Sequence, residues 1–172
     1  RKIVDDDNLV AKIQLTRWVP FHFLPGNVGE SFTEKLVCLN EDQSEIVRSM
    51  KETNLAKIKS NVPYSLELLG LTAHVYADSF SHFGFSGVSS RKNKVDVDSI
   101  DKSNLDDETK NTLFEKYTIL KNIKDAVVEM GALGHSIVDI YPDIPYLIWS
   151  FNYSLSPDKI QHRRNPDIFL LS

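Results

Sequence analysis

Two imidazoles and a carboxylate follow one another at four-residue intervals in a short apolar stretch of this sequence. His74, Asp78 and His82 fall in LTAHVYADSFSHFGFSG. On an α-helix, residues i, i+4 and i+8 lie nearly above one another, so this spacing directs the three side chains to one side. Imidazole nitrogen and carboxylate oxygen suit zinc, with iron or manganese as substitutes. The spacing therefore predicts a metal site.

A second histidine–aspartate pair repeats this spacing further along the chain. His135 and Asp139 lie in GHSIVDIYPD, and Asp143 follows in an aromatic, proline-bounded turn. Asp143 either orients a ligand imidazole or caps its own turn. Asp139 and Asp143 are the candidates for steering a water molecule, and Asp78 completes the set of candidate catalytic residues.

Two further segments bring candidate ligands. His22 lies in WVPFHFLPG, and a single histidine in such a stretch is typical of packing rather than of ligation. The acidic run Asp5–Asp7 is typical of a solvated tail, but a metal site could recruit one of its carboxylates, for which Asp6 is the candidate. His162 lies among charged residues and is interpreted as a surface residue.

The surroundings of His74 favour a buried site. The predicted helix that carries His74 is apolar on most sides and is therefore expected to be largely buried. Buried ionisable groups need partners, and a shared metal would satisfy several of them at once. A buried hydrogen-bond network of the same residues is the alternative.

Length and composition predict one globular domain over residues 1–172. The chain is 41% apolar and 26% charged, and its net charge of −4 gives no field that would attract long nucleic acid. Cys38 is the single cysteine, which excludes an intramolecular disulfide and a cysteine-based zinc site. No apolar run approaches the roughly 20 residues of a membrane helix. Because the chain begins at Arg1 rather than Met, we expect an N-terminal segment to be missing.

Periodicity predicts helices and no strands, so the predicted fold class is all-α, a single helical domain with a metal cleft between helices. Ser86 to Ser103 is polar and is expected to be an exposed loop. The predicted helices run from Glu30 to about Ser60 with a break near Asn40, from Pro63 to about His82, from Asn104 or Asp106 to about Met130, from His135 to Ile140, and from Asn165 onward.

The longer motifs resemble an uncharacterised bacterial family. Its members carry H-x-Y-x-D-x-x-x-H-x-G-F-S-G and G-H-x-x-x-x-x-Y-P-D-x-P-Y-x-x-W, often with an upstream V-D-D segment. All of these occur here, between about residues 4 and 149. The resemblance implies a bacterial protein, for which we expect the cytoplasm, and it implies a site rather than a reaction.

The order of the ligand residues is also similar to that of the zinc-dependent phospholipase C and P1 nuclease superfamily, helical enzymes that hydrolyse phosphate esters with three zinc ions. This likeness implies a first metal at Asp6, His22, His74 and Asp78, and a second at His82, His135 and Asp139. The third-metal groups of that superfamily have no match here. His82 also follows Asp78 by four residues, whereas that superfamily usually has six.

These expectations together describe a metal-dependent hydrolase, with one to three zinc ions, that acts on a small-molecule or lipid phosphate ester through an activated water. The alternative is a metal-stabilised binding or scaffold domain without catalysis, whose site would be closed by protein ligands. The aromatic residues expected to line the cleft are Tyr76, Phe83, Phe85, Tyr141 and Trp149.

Overall fold

The computed structural model describes residues 11–101, 103, 105–107, 110–111, 132–135, 138 and 141–167. The chain divides into two compact units, Arg1–Val88 (with Ser172) and Ser89–Leu171. The second unit contains a three-stranded antiparallel sheet, so the all-α prediction is wrong and the fold combines helices and strands. The helix predicted from Asn104 or Asp106 to Met130 lies largely outside the described residues.

The first unit is helical and is built around its two long helices. Its helices are α1 (Ala11–Ile13), a π-helical turn (Gln14–Trp18), α2 (Val19–His22), α3 (Phe32–Lys35), α4 (Glu45–Lys59) and α5 (Ser65–Ser81). The helix predicted from Pro63 to about His82 is confirmed by α5. In this part of the chain, no described helix is long and apolar enough to cross a bilayer.

The long helix predicted from Glu30 is two helices, because each of two polar N-caps begins a separate helix. Ser31 and Glu34 form a reciprocal capping box at the start of α3. The Ser44 hydroxyl accepts a hydrogen bond from the amide of Val47 and so caps α4. The intervening turn contains Asn40, near which the break was predicted.

Helix α5 packs against α4 and α2, and this packing forms the core of the first unit. Val47, Val75, Phe80 and Phe85 are each less than 10% exposed. Asn54 of α4 donates a hydrogen bond to the Thr72 hydroxyl of α5, which satisfies a polar pair at the helix contact. His74 and Asp78 lie on the side of α5 that faces His22 of α2.

The second unit is organised by a β-hairpin. Its strands are β1 (Ser89–Ser90), β2 (Val95–Asp96), β3 (Ala132–Leu133), β4 (Ile148–Tyr153) and β5 (Ser156–Arg164). Strand β4 lies between β2 and β5, and β1 pairs with β3, all antiparallel. The expectation of a loop from Ser86 to Ser103 is therefore wrong at β1 and β2, which pair with strands distant in sequence.

Strand β4 alternates buried aromatic residues with polar ones. Trp149 and Phe151 are almost fully buried, whereas Ser150 and Asn152 are partly exposed. This period of two is the signature of a half-buried strand and is visible in the sequence IWSFNY. Burial raises the pKa of Tyr153, at the end of β4, to about 12.

Asn165 holds the turn that precedes the hairpin. Its side chain is fully buried and donates hydrogen bonds to the carbonyls of Tyr141 and Ile144, at 2.7 and 2.8 Å. Its carbonyl oxygen accepts one from the Trp149 indole at 3.1 Å. Asn165 thereby fixes both ends of the turn Tyr141–Asp143. Residues 165–167 are helical, as predicted, and the rest of that predicted helix lies outside the described residues.

Candidate metal centre

His22 is the last residue of α2 and follows the π-helical turn. Pro20, near the start of α2, has no amide hydrogen, and its ring would collide with the carbonyl of Thr16 in a regular α-helix. The backbone instead widens, and the amide of Val19 donates to the carbonyl of Gln14, five residues earlier. The turn ends with His22 half-buried beside α5.

The close approach of a glycine keeps α2 beside the end of α5. A Cβ atom on Gly87 would lie 2.9 Å from the Cβ of Phe23 and 3.0 Å from the backbone nitrogen of Val19. Only glycine fits this contact without displacing α2. Gly70 of α5 has no such role, because a Cβ there would meet nothing within 4 Å.

Three predicted ligands converge at this place. His74 and Asp78 lie one turn apart on α5, and His22 meets them from α2. The Nδ1 atom of His22 is 2.9 Å from Oδ2 of Asp78, and Nε2 of His74 is 3.5 Å from the same oxygen. The two imidazole rings lie edge to face, with centroids 4.9 Å apart. All three residues can offer ligand atoms within 4.8 Å of one another.

The two distances to the Asp78 carboxylate can be compared with those of a metal site and of a hydrogen-bond network. Zinc ligands at about 2.0–2.1 Å in a tetrahedron lie about 3.3 Å from one another, close to the 3.5 Å between His74 and Asp78. That 3.5 Å is too long for a good hydrogen bond, whereas the 2.9 Å contact of His22 is one. The His22 contact therefore supports the hydrogen-bond alternative, and the His74 separation supports a shared metal, which would require a small outward shift of His22.

The centre is open to solvent on the side of its histidines. The side chains of His22 and His74 are 35% and 48% exposed, whereas Asp78 is 16% exposed. The carboxylate thus lies at the base of the cluster and the imidazoles at its rim. Three protein ligands with an exposed rim leave room for a water molecule in the fourth position of a zinc ion.

His82 departs from the predicted stack on α5. It is the C-cap of α5, and its Nδ1 lies 3.9 Å from the Asp78 carboxylate but 2.5 Å from the backbone oxygen of His22. Its ring stacks on Phe23 with centroids 4.5 Å apart. The i+8 spacing does not carry His82 to the same point as His74, because the helix ends at Ser81.

The remaining predicted site residues lie in the second unit or outside the described residues. His135, at which a helix was expected to begin, lies in a turn. Asp143 is exposed in the turn that Asn165 fixes, and His135 and Asp143 offer ligand atoms within 4.8 Å of each other. Asp6 and Asp139 lie outside the described residues.

The aromatic residues expected to line a cleft mostly serve other purposes. Phe85, Tyr141 and Trp149 are at most 4% exposed and belong to the cores of their units. Tyr76 lies beneath the Lys51 ammonium group, 4.9 Å from its ring centroid. The aromatic neighbour that the sequence interpretation missed is Trp18, whose ring lies 5.3 Å from that of His22. The four-residue spacing of Trp18 and His22 was the available signal.

Cys38 is a buried thiol near the candidate centre. Burial, and secondarily the charge of Asp78, raise the pKa of the Cys38 thiol well above its usual range. The thiol lies 3.7 Å from the carbonyl oxygen of Ser79. Cys38 is fully buried and is not among the residues whose ligand atoms converge with those of His22, His74 and Asp78, so it is a packed residue rather than a fourth ligand.

Comparison with known families covers nearly the whole chain. The profile of a family of unknown function, DUF6765, matches residues 4–172. The chain belongs to this family. Searches of curated proteins and of solved structures each found no match. The matched range contains both the segment with His22, His74 and Asp78 and the segment with His135 and Asp143.

Proposed function

We propose that this chain is a metal-dependent hydrolase, zinc being the best-suited metal, that acts on phosphate esters. The observation that carries the proposal is the open cluster of His22, His74 and Asp78, with one carboxylate at its base and two half-exposed imidazoles at its rim. A zinc ion bound there supplies Lewis acidity and brings the pKa of a water toward neutrality.

The ligand residues have different roles in this proposal. His22 and His74 hold the cation as neutral ligands, and Asp78 contributes the negative charge that offsets part of the charge of the ion. The His22–Asp78 contact fixes the orientation of the imidazole before the cation arrives. Asp6 is proposed as a further ligand from the sequence resemblance alone.

The phosphate-ester class and a second metal rest on the resemblance to the phospholipase C and P1 nuclease superfamily. That likeness implies His82, His135 and Asp139 as ligands of the second ion. Asp139 and Asp143 remain the candidates for steering the water. The exposed position of Asp143 in its turn is compatible with contact to a substrate.

The test is turnover of small phosphate esters by the zinc-loaded chain. Nitrophenyl phosphate and bis(nitrophenyl) phosphate should both be tried, because the first is a monoester and the second a diester. We expect hydrolysis that Asp78→Asn abolishes and that Asp42→Asn, the same change at an exposed carboxylate of the same unit, leaves intact.

The scaffold alternative predicts a different result in the same material. A closed centre has no exchangeable position, so inorganic phosphate should leave the visible spectrum of the cobalt-substituted chain unchanged, and no ester should be hydrolysed. An open centre should show a phosphate-dependent spectrum. If the chain binds stoichiometric metal but shows neither a phosphate-dependent spectrum nor ester hydrolysis, the scaffold alternative replaces the hydrolase proposal.

A further inference from the structure

We propose that His82 is a positioning residue for the candidate metal centre, and that it acts through its Nδ1 atom by holding the main chain of His22. This inference rests on the proposed metal centre but not on hydrolysis. The contact that motivates it is the 2.5 Å approach of His82 Nδ1 to the carbonyl oxygen of His22.

The chemistry of the acceptor fixes the tautomer of His82. A backbone carbonyl can only accept a hydrogen bond, so the Nδ1 atom of His82 carries the proton. The Asp78 carboxylate lies 3.9 Å from this nitrogen, beyond hydrogen-bond distance, so the Nδ1 hydrogen is directed to His22. In the neutral ring, Nε2 then carries the lone pair and has the chemistry of an acceptor or ligand.

Burial makes this hydrogen bond effective. His82 is 5% exposed, and its ring stacks on Phe23, the residue after His22, at an interplanar angle of 20°. Water therefore competes little for the carbonyl of His22, and the stacked ring holds the donor in place. The part-buried carbonyl of His22 would lose its donor in a variant that cannot form this bond, and an unsatisfied carbonyl disfavours this position of the main chain.

The bond joins the ends of the two helices that carry the ligands. His82 is the C-cap of α5, and its own amide donates to the carbonyl of Asp78 at 2.9 Å. Its side chain reaches His22, the last residue of α2. One residue thus sets the spacing between the carboxylate on α5 and the imidazole on α2. Metal affinity depends on such spacing, and partners that orient ligands are typically worth about 10–100-fold.

Two amide substitutions separate this role from direct ligation through Nε2. The amide nitrogen of Asn replaces the Nδ1 donor, whereas that of Gln lies near the position of Nε2. We expect His82→Asn to retain the hydrogen bond to His22 and His82→Gln to lose it. His162→Gln is the matched control, because His162 is exposed in β5 of the other unit.

The measurement is zinc affinity, determined by competition with a chromophoric chelator. Zinc binding is assigned to this site if Asp78→Asn removes it. We expect His82→Asn to bind at this site within about threefold of the unaltered chain and His82→Gln to bind 10–100-fold more weakly. Equal weakening by both variants would overturn the proposal, because it would place the contribution of His82 in Nε2 or in the ring itself. Unchanged affinity in both would overturn it too.

A metal-free measurement tests the same point if the chain binds no zinc. The ring nitrogen shifts of His22 in 15N NMR report its hydrogen bond to Asp78. They should match those of the unaltered chain in His82→Asn and change in His82→Gln. A chain that binds no metal but shows this difference refutes the proposed function and keeps the positioning role. Unfolding of His82→Gln alone supports the role, and equal unfolding of both variants overturns it.

Discussion

Asp78→Asn is the sharpest test of the metal centre, because it removes one charge and almost no volume. The Asn side-chain oxygen can still accept the hydrogen bond that His22 Nδ1 gives Asp78 at 2.9 Å. The fold and the position of His22 should therefore survive. What is lost is the negative charge at the base of the cluster, where the side chain is 16% exposed.

The magnitude follows from Coulomb's law. A carboxylate oxygen lies about 2.1 Å from a bound zinc ion. At that distance one negative and two positive charges attract with about 4 kcal/mol even at the dielectric constant of water. At 1.4 kcal/mol for each factor of ten, this is about a thousandfold in affinity. The low exposure of Asp78 reduces screening, whereas the amide dipole of Asn restores part of the attraction, so we expect about a thousandfold loss.

The assay is zinc binding by chelator competition, with Asp42→Asn as the control of equal chemistry at an exposed position. Asp42→Asn should leave the affinity unchanged. A loss of only about 10–100-fold in Asp78→Asn would indicate that Asp78 orients His22 without ligating the ion. Unaltered affinity would refute the reasoning, because no charged ligand at this place would then be needed.

Further predictions concern stability. Chelation should lower the melting temperature measured by circular dichroism, since free zinc at about 1,000 times its dissociation constant stabilises the folded state by about 4 kcal/mol. Gly70→Ala should raise the free energy of unfolding by about 1 kcal/mol, because the added methyl group meets open space and Ala favours helix. Gly87→Ala should lower the free energy of unfolding, because the added methyl group clashes with α2. Burial raises the pKa of Tyr141 and of Tyr153 to about 12, above the ordinary value of 10. The folded state therefore holds these protons more tightly, and stability present below pH 10 should be lost as the pH rises toward 12.

Each of these predictions has a contradicting outcome. An unchanged melting curve after confirmed removal of metal would show that the centre does not hold the first unit together. Destabilisation by Gly70→Ala would mean that this face of α5 is covered. For the tyrosines, absorbance at 295 nm should lag behind that of a free tyrosine as pH rises. A titration midpoint near 10 in the folded chain would contradict the burial argument.

The helical expectations succeeded where the signal was local. The Pro63 start and the glycine-rich end of α5 are set by neighbouring residues, and the helix has nearly those bounds. The prediction of helices without strands was wrong for the β4–β5 hairpin, although Trp149, Ser150 and Phe151 alternate visibly between apolar and polar. A strand of six residues gives a weak periodic signal, and the polar sequence of its partner β5 gives none. Strands β1 and β2 have two residues each, and only their distant partners define them.

The sequence by itself determined which types of ligand, imidazole and carboxylate, lie at the candidate centre. Four-residue spacing on a helix fixes the approach of His74 to Asp78, because helix geometry is local. The helical spacing favoured His82 as the third residue and the order of the ligand residues implied His22, and only the tertiary structure decided between them. His22 enters because α2 packs against α5, whereas His82 ends its helix and donates to the His22 carbonyl instead. Such a choice depends on packing between segments more than fifty residues apart, which no local spacing encodes.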